Sequence, residues 1–499
     1  NMFNSALVLN PAYEEALANL GECFRQLQDF QNARLAFAKA IESGGQLPLS
    51  WVGGARVEFA LGEAHQAIAK YLQCLEKDSE NLECLLELAL VYLSANDYQA
   101  ALDCYERAYK IKPDEDFLLG RVLNVSMQAC RWEKVTDLIA EVLEKVKEGK
   151  RVCHPFTVVS TIDDPQIQLK AAQIWSAYTQ DTAAFKKSAA PLKQKEKIRL
   201  GYFSADFYQH ATMHLMADMF KQHDKSRFEV FAFSYGNGVK DSMLESVIPH
   251  FDQFHYVADK SDYEIAQAAR DLGIDIAIDL KGFTYDARPG IFTHKAAPIQ
   301  VNYLGYPGTM GSSCIDYIIA DPVLICPEYE KCYSEKIVYL PNSYQINDPQ
   351  RVVDDAAVSR EDVGLPSQGF VYCSFNQHYK FLPSIFDSWA RILNRVENSV
   401  LWLMAEGELV RSNLRNEIAK RGIAPERLIF ADRIPSAQHL ARMRLADLFL
   451  DSLPYNSHTT ASDALWVGLP ILTLQGKSFA ARVASSLLTA MGLPQLITH

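Results

Sequence analysis

No stretch of this 499-residue chain approaches the ~20 consecutive apolar residues of a membrane-crossing helix, so membrane contact is not expected. The ten cysteines include no CxxC pair, and Cys23, Cys74, Cys84 and Cys104 fall inside helical patterns as packed thiols would. That excludes a structural zinc framework and points to a reducing, cytoplasmic setting. Lys and Arg form no block and the net charge is −12, which argues against a general nucleic-acid binder. No strand-like run leads into GxGxxG or into a P-loop glycine-lysine signature, so neither a dinucleotide-dependent oxidoreductase nor a P-loop enzyme is expected. The one DxD string, Asp114 to Asp116, lies at a repeat turn, which leaves a metal-held sugar diphosphate without ligands. His210 and His214 stand four apart, but no glutamate follows the first and no third ligand is evident, so no metal is expected there either. What is present is an ordinary composition, 48% hydrophobic and 22% charged, in a chain long enough for about three domains.

Ala33, Ala67 and Ala101 recur at a spacing of 34, as do Gly21/Ala55/Ala89, Phe37/Tyr71/Tyr105 and Ala40/Cys74/Ala108. Small residues recur where two helices approach and aromatics recur where the next pair packs, which is the pattern of a tetratricopeptide solenoid. Repeats 14–47, 48–81 and 82–115 are clear within a repeat domain spanning 1–149. Phe3, Ala6 and Pro11 share the register of Phe37, Ala40 and Pro113, so the chain is expected to open inside an earlier repeat. A degenerate unit follows, with Trp132 in the column of Phe30 and Tyr98 and Val135 in the small-residue column. A helical linker is expected over 150–195, ending in a charged lead-in with Lys193, Lys195 and Lys197. Such an array has no chemistry of its own and offers a concave surface to a partner; a pure scaffold is the plain alternative.

From Ile198 short β-rich runs alternate with helical stretches, which implies parallel strands and crossover helices. The runs are Ile198–Ser204, Phe228–Tyr235, Ile274–Leu280, Ile299–Leu304, Ile315–Ala320 and Lys336–Leu340. After a polar stretch, Asn342 to Glu361, they resume with Gly369–Phe375, Ser399–Met404, Arg427–Ala431, Ala446–Asp451 and Pro470–Leu474. Two Rossmann-like lobes are expected, 196–345 and 346–499, with ligand in the cleft between them.

Two loops of the second lobe carry the strongest chemical signal. Lys380 follows the run 371–375, and His458, Thr459, Thr460, Ala461, Ser462 and Asp463 follow the run 446–450. Free N–H groups and the positive dipole end of a helix attract anions, so a lysine beside a helix start suggests a bound diphosphate. The plain alternatives are a solvated lysine and a Thr460-x-x-Asp463 capping box that merely starts a helix. Ser436 is read as the N-cap of a third helix, with His439 and Arg442 one turn apart on its exposed face, either as a solvated surface or as contacts to a base or ribose. In the first lobe, the loop after Ser204 holds Asp206, His210 and His214. His210 at the strand-to-helix junction points to the cleft as a group that takes or orients a proton, while His214 reads as a packed helix residue. The glycines of Lys281–Thr284 and Leu304–Thr309 either admit a ligand close to the backbone or make turns.

The stretches GYFSADFYQHATMHLM, LGYPGTMG, CSFNQHYK and DSLPYNSHTTASDALWVGLPILTLQGKSFAARVASSLL resemble the O-linked N-acetylglucosamine transferase family over essentially the whole chain, with the bacterial members most similar. The resemblance implies tetratricopeptide repeats followed by an α/β glycosyltransferase-B fold of two Rossmann-like lobes. It implies a UDP-sugar as co-substrate, no cofactor and no metal. By position, Lys380 and Gln377 match residues at the donor diphosphate, His458, Thr459 and Thr460 match its helix-start contacts, and Asp463 matches the ribose-binding carboxylate. His439 and Arg442 match residues around the uracil, and His210 matches the acceptor-side histidine proposed as a base. His210 and Lys380 are thus the expected catalytic residues. The family's lysine near the ribose stands here as Ser436, and the column that is asparagine in the animal enzymes' groove reads Asn19, Gly53 and Glu87. Family members also continue with helices beyond the position of His499. The expected reaction is inverting transfer of N-acetylglucosamine from UDP-N-acetylglucosamine to Ser or Thr of a protein held along the repeat groove. The alternatives are an N-linked hexosyltransferase using UDP-glucose, an O-fucosyltransferase using a GDP-sugar, and a repeat scaffold with an inactive catalytic region.

Overall fold

A computed structural model describes residues 2–179, 196–236, 238–356 and 358–499; Lys193 and Lys195 of the expected lead-in lie outside the described residues. The chain divides into two compact units, Asn1–Ala129 and Cys130–His499. Among the described residues no helix is long and apolar enough to cross a membrane.

In the first unit, Glu14–Gln26 pairs with Phe30–Glu42, Pro48–Ala60 with Ala64–Lys77, and Leu82–Ser94 with Tyr98–Ile111. Ala33, Ala67 and Ala101 are fully buried, as are Phe37, Tyr71 and Tyr105 to within 1%. The small-residue column is steric: a Cβ on Gly21 would lie 3.0 Å from the Phe37 ring. Asp29 and Asp97 start the second helix of their pairs by accepting from the backbone N–H groups of Asn32 and Ala100. Gln28, Gly62 and Asn96 carry left-handed φ values of 59°, 84° and 57°, and Cys130, again 34 residues on, has 52°. The turn geometry therefore keeps the period past the point where the side-chain pattern degenerates.

The second unit begins with Trp132, whose ring meets Phe386 edge-on at 5.0 Å, and with the helix Val135–Lys147. The described part of the expected linker belongs to this unit: Pro155–Thr161 and Pro165–Thr179 are helices, and Ser176 Oγ donates to the Met310 carbonyl at 2.7 Å. Two wholly parallel sheets follow. The first comprises β1 (Ile198–Ser204), β2 (Phe228–Ser234), β3 (Gln253–Tyr256), β4 (Ile276–Asp279), β5 (Ile299–Asn302), β6 (Tyr317–Ala320) and β7 (Lys336–Tyr339) in the order β3-β2-β1-β4-β5-β6-β7. The second comprises β8 (Val371–Ser374), β9 (Val400–Met404), β10 (Leu428–Ala431), β11 (Leu448–Leu450), β12 (Ile471–Leu474) and β13 (Ile497–Thr498) in the order β10-β9-β8-β11-β12-β13. Each order reverses beside its first strand, between β1 and β4 and between β8 and β11. Crossover connections leave in opposite directions there, so the carboxyl ends of those strands open into a crevice.

The strands β3 and β13 escape the sequence reading. The first is an edge strand with no fully buried residue and the second is two residues long, so neither shows an apolar run. The lobes are also tied together directly: Tyr344 packs edge-on against Phe479 at 5.0 Å, and Asp321 accepts from the Tyr344 N–H and the Ser486 hydroxyl.

Candidate active site

Lys380 sits beyond β8 in a short 3-10 turn ahead of the helix Pro383–Arg395. Its side chain is buried, not solvated: Nζ donates to the Asn456 carbonyl at 3.2 Å and stands 3.9 Å from the centre of the Tyr455 ring. Among the described residues no carboxylate makes an ion pair with it. Burial pushes the ammonium down to about 7, with Asp451 opposing part of the shift. Gln377 is exposed at the lip of the same turn.

The loop beyond β11 is built on Asp451, which accepts from the N–H groups of Ser452 and Ser457 and from the Thr473 hydroxyl. Asn376, from the β8 loop, donates to the hydroxyls of Ser452 and Ser457 and accepts from Thr460 Oγ1 at 2.8 Å. The capping box, the plain alternative for Thr460 and Asp463, is not formed. Thr460 gives its hydroxyl to Asn376, Asp463 pairs with Arg351, and the helix Thr459–Trp466 starts after His458 with no side-chain cap. The local Thr-x-x-Asp rule is overridden by two partners distant in sequence, and the N–H groups of Thr459 and Thr460 are left without a side-chain cap. His458 is held neutral, its titration far below the ordinary range through burial and then the nearby Lys380; Nε2 lies 3.2 Å from the Ala480 carbonyl.

Beyond β10, Pro435 and not Ser436 precedes the helix Ser436–Met443. Arg442 is only 4% exposed, so its expected place on a solvated face is corrected. Its guanidinium lies over Phe375 and Trp402, aromatic neighbours that helical periodicity cannot reveal, donates through Nη1 to the Asp432 carbonyl and through Nε to His439 Nδ1 at 3.1 Å. With Nδ1 accepting, the His439 proton resides on Nε2. Burial, then the charges of Arg442, Arg351 and Arg433, push that ring down to about 3.

In the first lobe the crevice between β1 and β4 holds Asp206 and Lys281, both near 5% exposed, with Nζ 2.9 and 2.7 Å from the two carboxylate oxygens. His210 caps the helix Ala211–Gln222 through Nδ1, which lies 3.3 Å from the Thr212 nitrogen and 3.4 Å from Asp206 Oδ2. Burial, only partly offset by Asp206, lowers its titration, so the ring is neutral at pH 7. This helix packs against Thr459–Trp466 of the second lobe, which brings the two crevices together. His214, half-buried on it, titrates low through burial and then the neighbouring Arg351. The glycines serve the backbone: Gly282 has φ +53°, and a Cβ on Gly305 would collide with the Leu280 carbonyl. Among the described residues no three His, Cys, Asp or Glu side chains form a metal-competent group.

The structure thus collects Lys380, His458, Thr459 and Thr460 at one crevice, and pairs Asp463 with Arg351, whose charge also bears on His439. Arg351, Asn376 and Asp451 were not anticipated. Asn376 and Asp451 adjoin expected positions and act through neighbours, whereas Arg351 stands in the polar stretch after β7, where no periodicity marks it.

Residues 172–358 and 349–499 match the family described as glycosyl transferase family 41, and 1–48 and 53–116 match a tetratricopeptide repeat family. An Arabidopsis thaliana protein named as a probable UDP-N-acetylglucosamine–peptide N-acetylglucosaminyltransferase is 35% identical over 74% of this chain and 40% of its own length. A Caenorhabditis elegans protein named as a UDP-N-acetylglucosamine–peptide N-acetylglucosaminyltransferase is 29% identical over 60% of this chain and 36% of its own. This chain therefore spans about two fifths of the length of these relatives. A solved structure of a mutant Thermobaculum terrenum O-GlcNAc transferase shares the fold at a TM-score of 0.70, with 23% identity over 97% of this chain and 87% of that one.

Proposed function

The chain belongs to glycosyl transferase family 41, and on that premise we propose that it transfers N-acetylglucosamine from UDP-N-acetylglucosamine to serine or threonine hydroxyls of a protein, with inversion and without a metal. The observation that carries this reading is the buried Lys380 ammonium, with no ion-pair partner among the described residues, set near an uncapped helix start at a topological switch point. The acceptor oxygen bonds to the anomeric carbon as the bond from that carbon to the diphosphate oxygen breaks, and the electron pair leaves with UDP. Negative charge grows on the departing diphosphate, so Lys380 and the N–H groups at the helix start act mainly on the transition state. Gln377 joins them at the diphosphate, Asp463 takes the ribose, and His439 with Arg442 takes the uracil. His210, held by its Nδ1 bond from the Thr212 N–H and therefore protonated on Nε2 in its neutral form, directs the acceptor oxygen.

The names of the relatives support the donor and the acceptor class. The repeats of the first unit supply the acceptor groove, and the reduced thiols fit a cytoplasmic setting. The test offers UDP-N-acetylglucosamine, UDP-glucose and GDP-fucose separately with a cell lysate, followed by mass spectrometry of the products. N-acetylhexosamine on Ser or Thr from the first donor alone is expected. Hexose on asparagine, deoxyhexose from GDP-fucose, or no transfer in any arm contradicts the proposal.

A further inference from the structure

Arg351 belongs to no strand. It lies in the segment after β7, which is stitched to the second lobe on both sides: Gln345 donates to the Ser462 hydroxyl, and the Asp354 N–H donates to the Ala437 carbonyl at 3.1 Å. The first of these bonds reaches the helix that carries Asp463 and the second reaches the first turn of the helix that carries His439, so Arg351 is fixed between the two. Its side chain is only 5% exposed. Nη2 donates to Asp463 Oδ1, while Nη1 is buried with no hydrogen-bond partner among the described residues. An orphaned guanidinium N–H held rigidly in a crevice is costly unless something that enters supplies an acceptor.

The neighbouring groups narrow what that is. The Asp463 carboxylate bound to this guanidinium sets acceptor oxygens alongside its N–H donors. A phosphoryl group has no hydrogen to give and is repelled by the carboxylate, whereas a hydroxyl both gives and accepts. Asp463 lies four residues beyond Thr459, about 6 Å along the helix at 1.5 Å per residue. That is the scale of the distance from a phosphate to the sugar it esterifies. Resting on the nucleotide-sugar reading above, we propose that Arg351 and Asp463 together read the ribose diol of the donor. Asp463 Oδ2 accepts from one hydroxyl, Arg351 Nη1 donates to the diol, and the Nη2–Oδ1 bond keeps both groups in place. Arg351 is therefore a specificity-determining residue supplied by a segment outside both sheets.

The test measures dissociation constants of UDP and 2′,3′-dideoxy-UDP for the whole chain by calorimetry, with the Arg351→Lys and Arg351→Met variants alongside. The unaltered protein should favour UDP by at least about tenfold, the scale of one hydrogen bond to a charged group. Arg351→Lys keeps a charge for Asp463 but lacks the second N–H of the fork, so it guards against loss of folding. Its preference for UDP should shrink to less than a third of the original, mainly through weaker UDP binding, and Arg351→Met should behave alike if folded. Full retention of the preference by Arg351→Lys, or equal weakening of both nucleotides, overturns the diol assignment. Failure of the unaltered protein to bind either nucleotide overturns the nucleotide-sugar reading instead.

Discussion

Burial of the Lys380 ammonium sets stability against function at a single side chain. Folding lowers its titration from 10.5 to about 7, so between those values the unfolded chain binds more protons than the folded one. Stability contributed by this group therefore rises with pH across that window, and the full penalty applies below it. Lys380→Met should raise Tm by a few degrees at pH 7, the scale of about 1 kcal/mol, and should abolish that part of the pH dependence. The same change should lower turnover by about 10²–10³-fold, as expected when a group that stabilises a developing anion is removed. Because the charged form is the useful one, kcat/KM should fall as pH rises past about 7, the value in the free protein. Thermal melts and a pH–rate profile check these expectations; unchanged turnover in Lys380→Met contradicts the role. The lysine was legible as a cation after a strand. Its burial was not, because Tyr455 and Asn456 come from another loop.

At the scale of elements, the helix Thr459–Trp466 depends on a side chain from the neighbouring strand loop. Asn376 is 1% exposed and holds Ser452, Ser457 and Thr460 at once, so it sets where the open helix start lies. Asn376→Ala removes hydrogen-bond partners from the hydroxyls of Ser452, Ser457 and Thr460, the buried Ser457 among them, at about 1–3 kcal/mol. The expected outcome is a lower Tm and UDP affinity weakened about tenfold or more, read by calorimetry; unaltered affinity would show that this network does not position the site. Central strands such as β1 and β8 were plain in the sequence because their apolar runs are buried from both sides, in accord with the parallel topology. The edge strand β3 was not, and neither was the fate of Thr460 and Asp463. Local pattern rules register spacing along the chain, whereas Asn376 is 84 residues from Thr460 and Arg351 is 112 from Asp463.

In the whole molecule, two parallel sheets place their switch points beside two loop clusters: Asp206, His210 and Lys281 at one, Lys380 and His458–Thr460 at the other. The repeats were read from a period of 34 that reflects steric necessity at Gly21 and recurring left-handed turns at Gln28, Gly62 and Asn96. Strand-loop-helix order and family resemblance pointed to the second crevice; strand order, which decides that β8 neighbours β11, came only with the fold. The central claim is that protein cations and helix-start N–H groups hold the donor diphosphate in place of a metal. Its most direct test is a calorimetric titration of UDP into the unaltered chain and Lys380→Ala, each with a chelator and with magnesium. The account predicts the same affinity in the unaltered protein under both conditions and a loss of at least about tenfold in Lys380→Ala. UDP binding that requires magnesium, or that survives undiminished in Lys380→Ala, would contradict it.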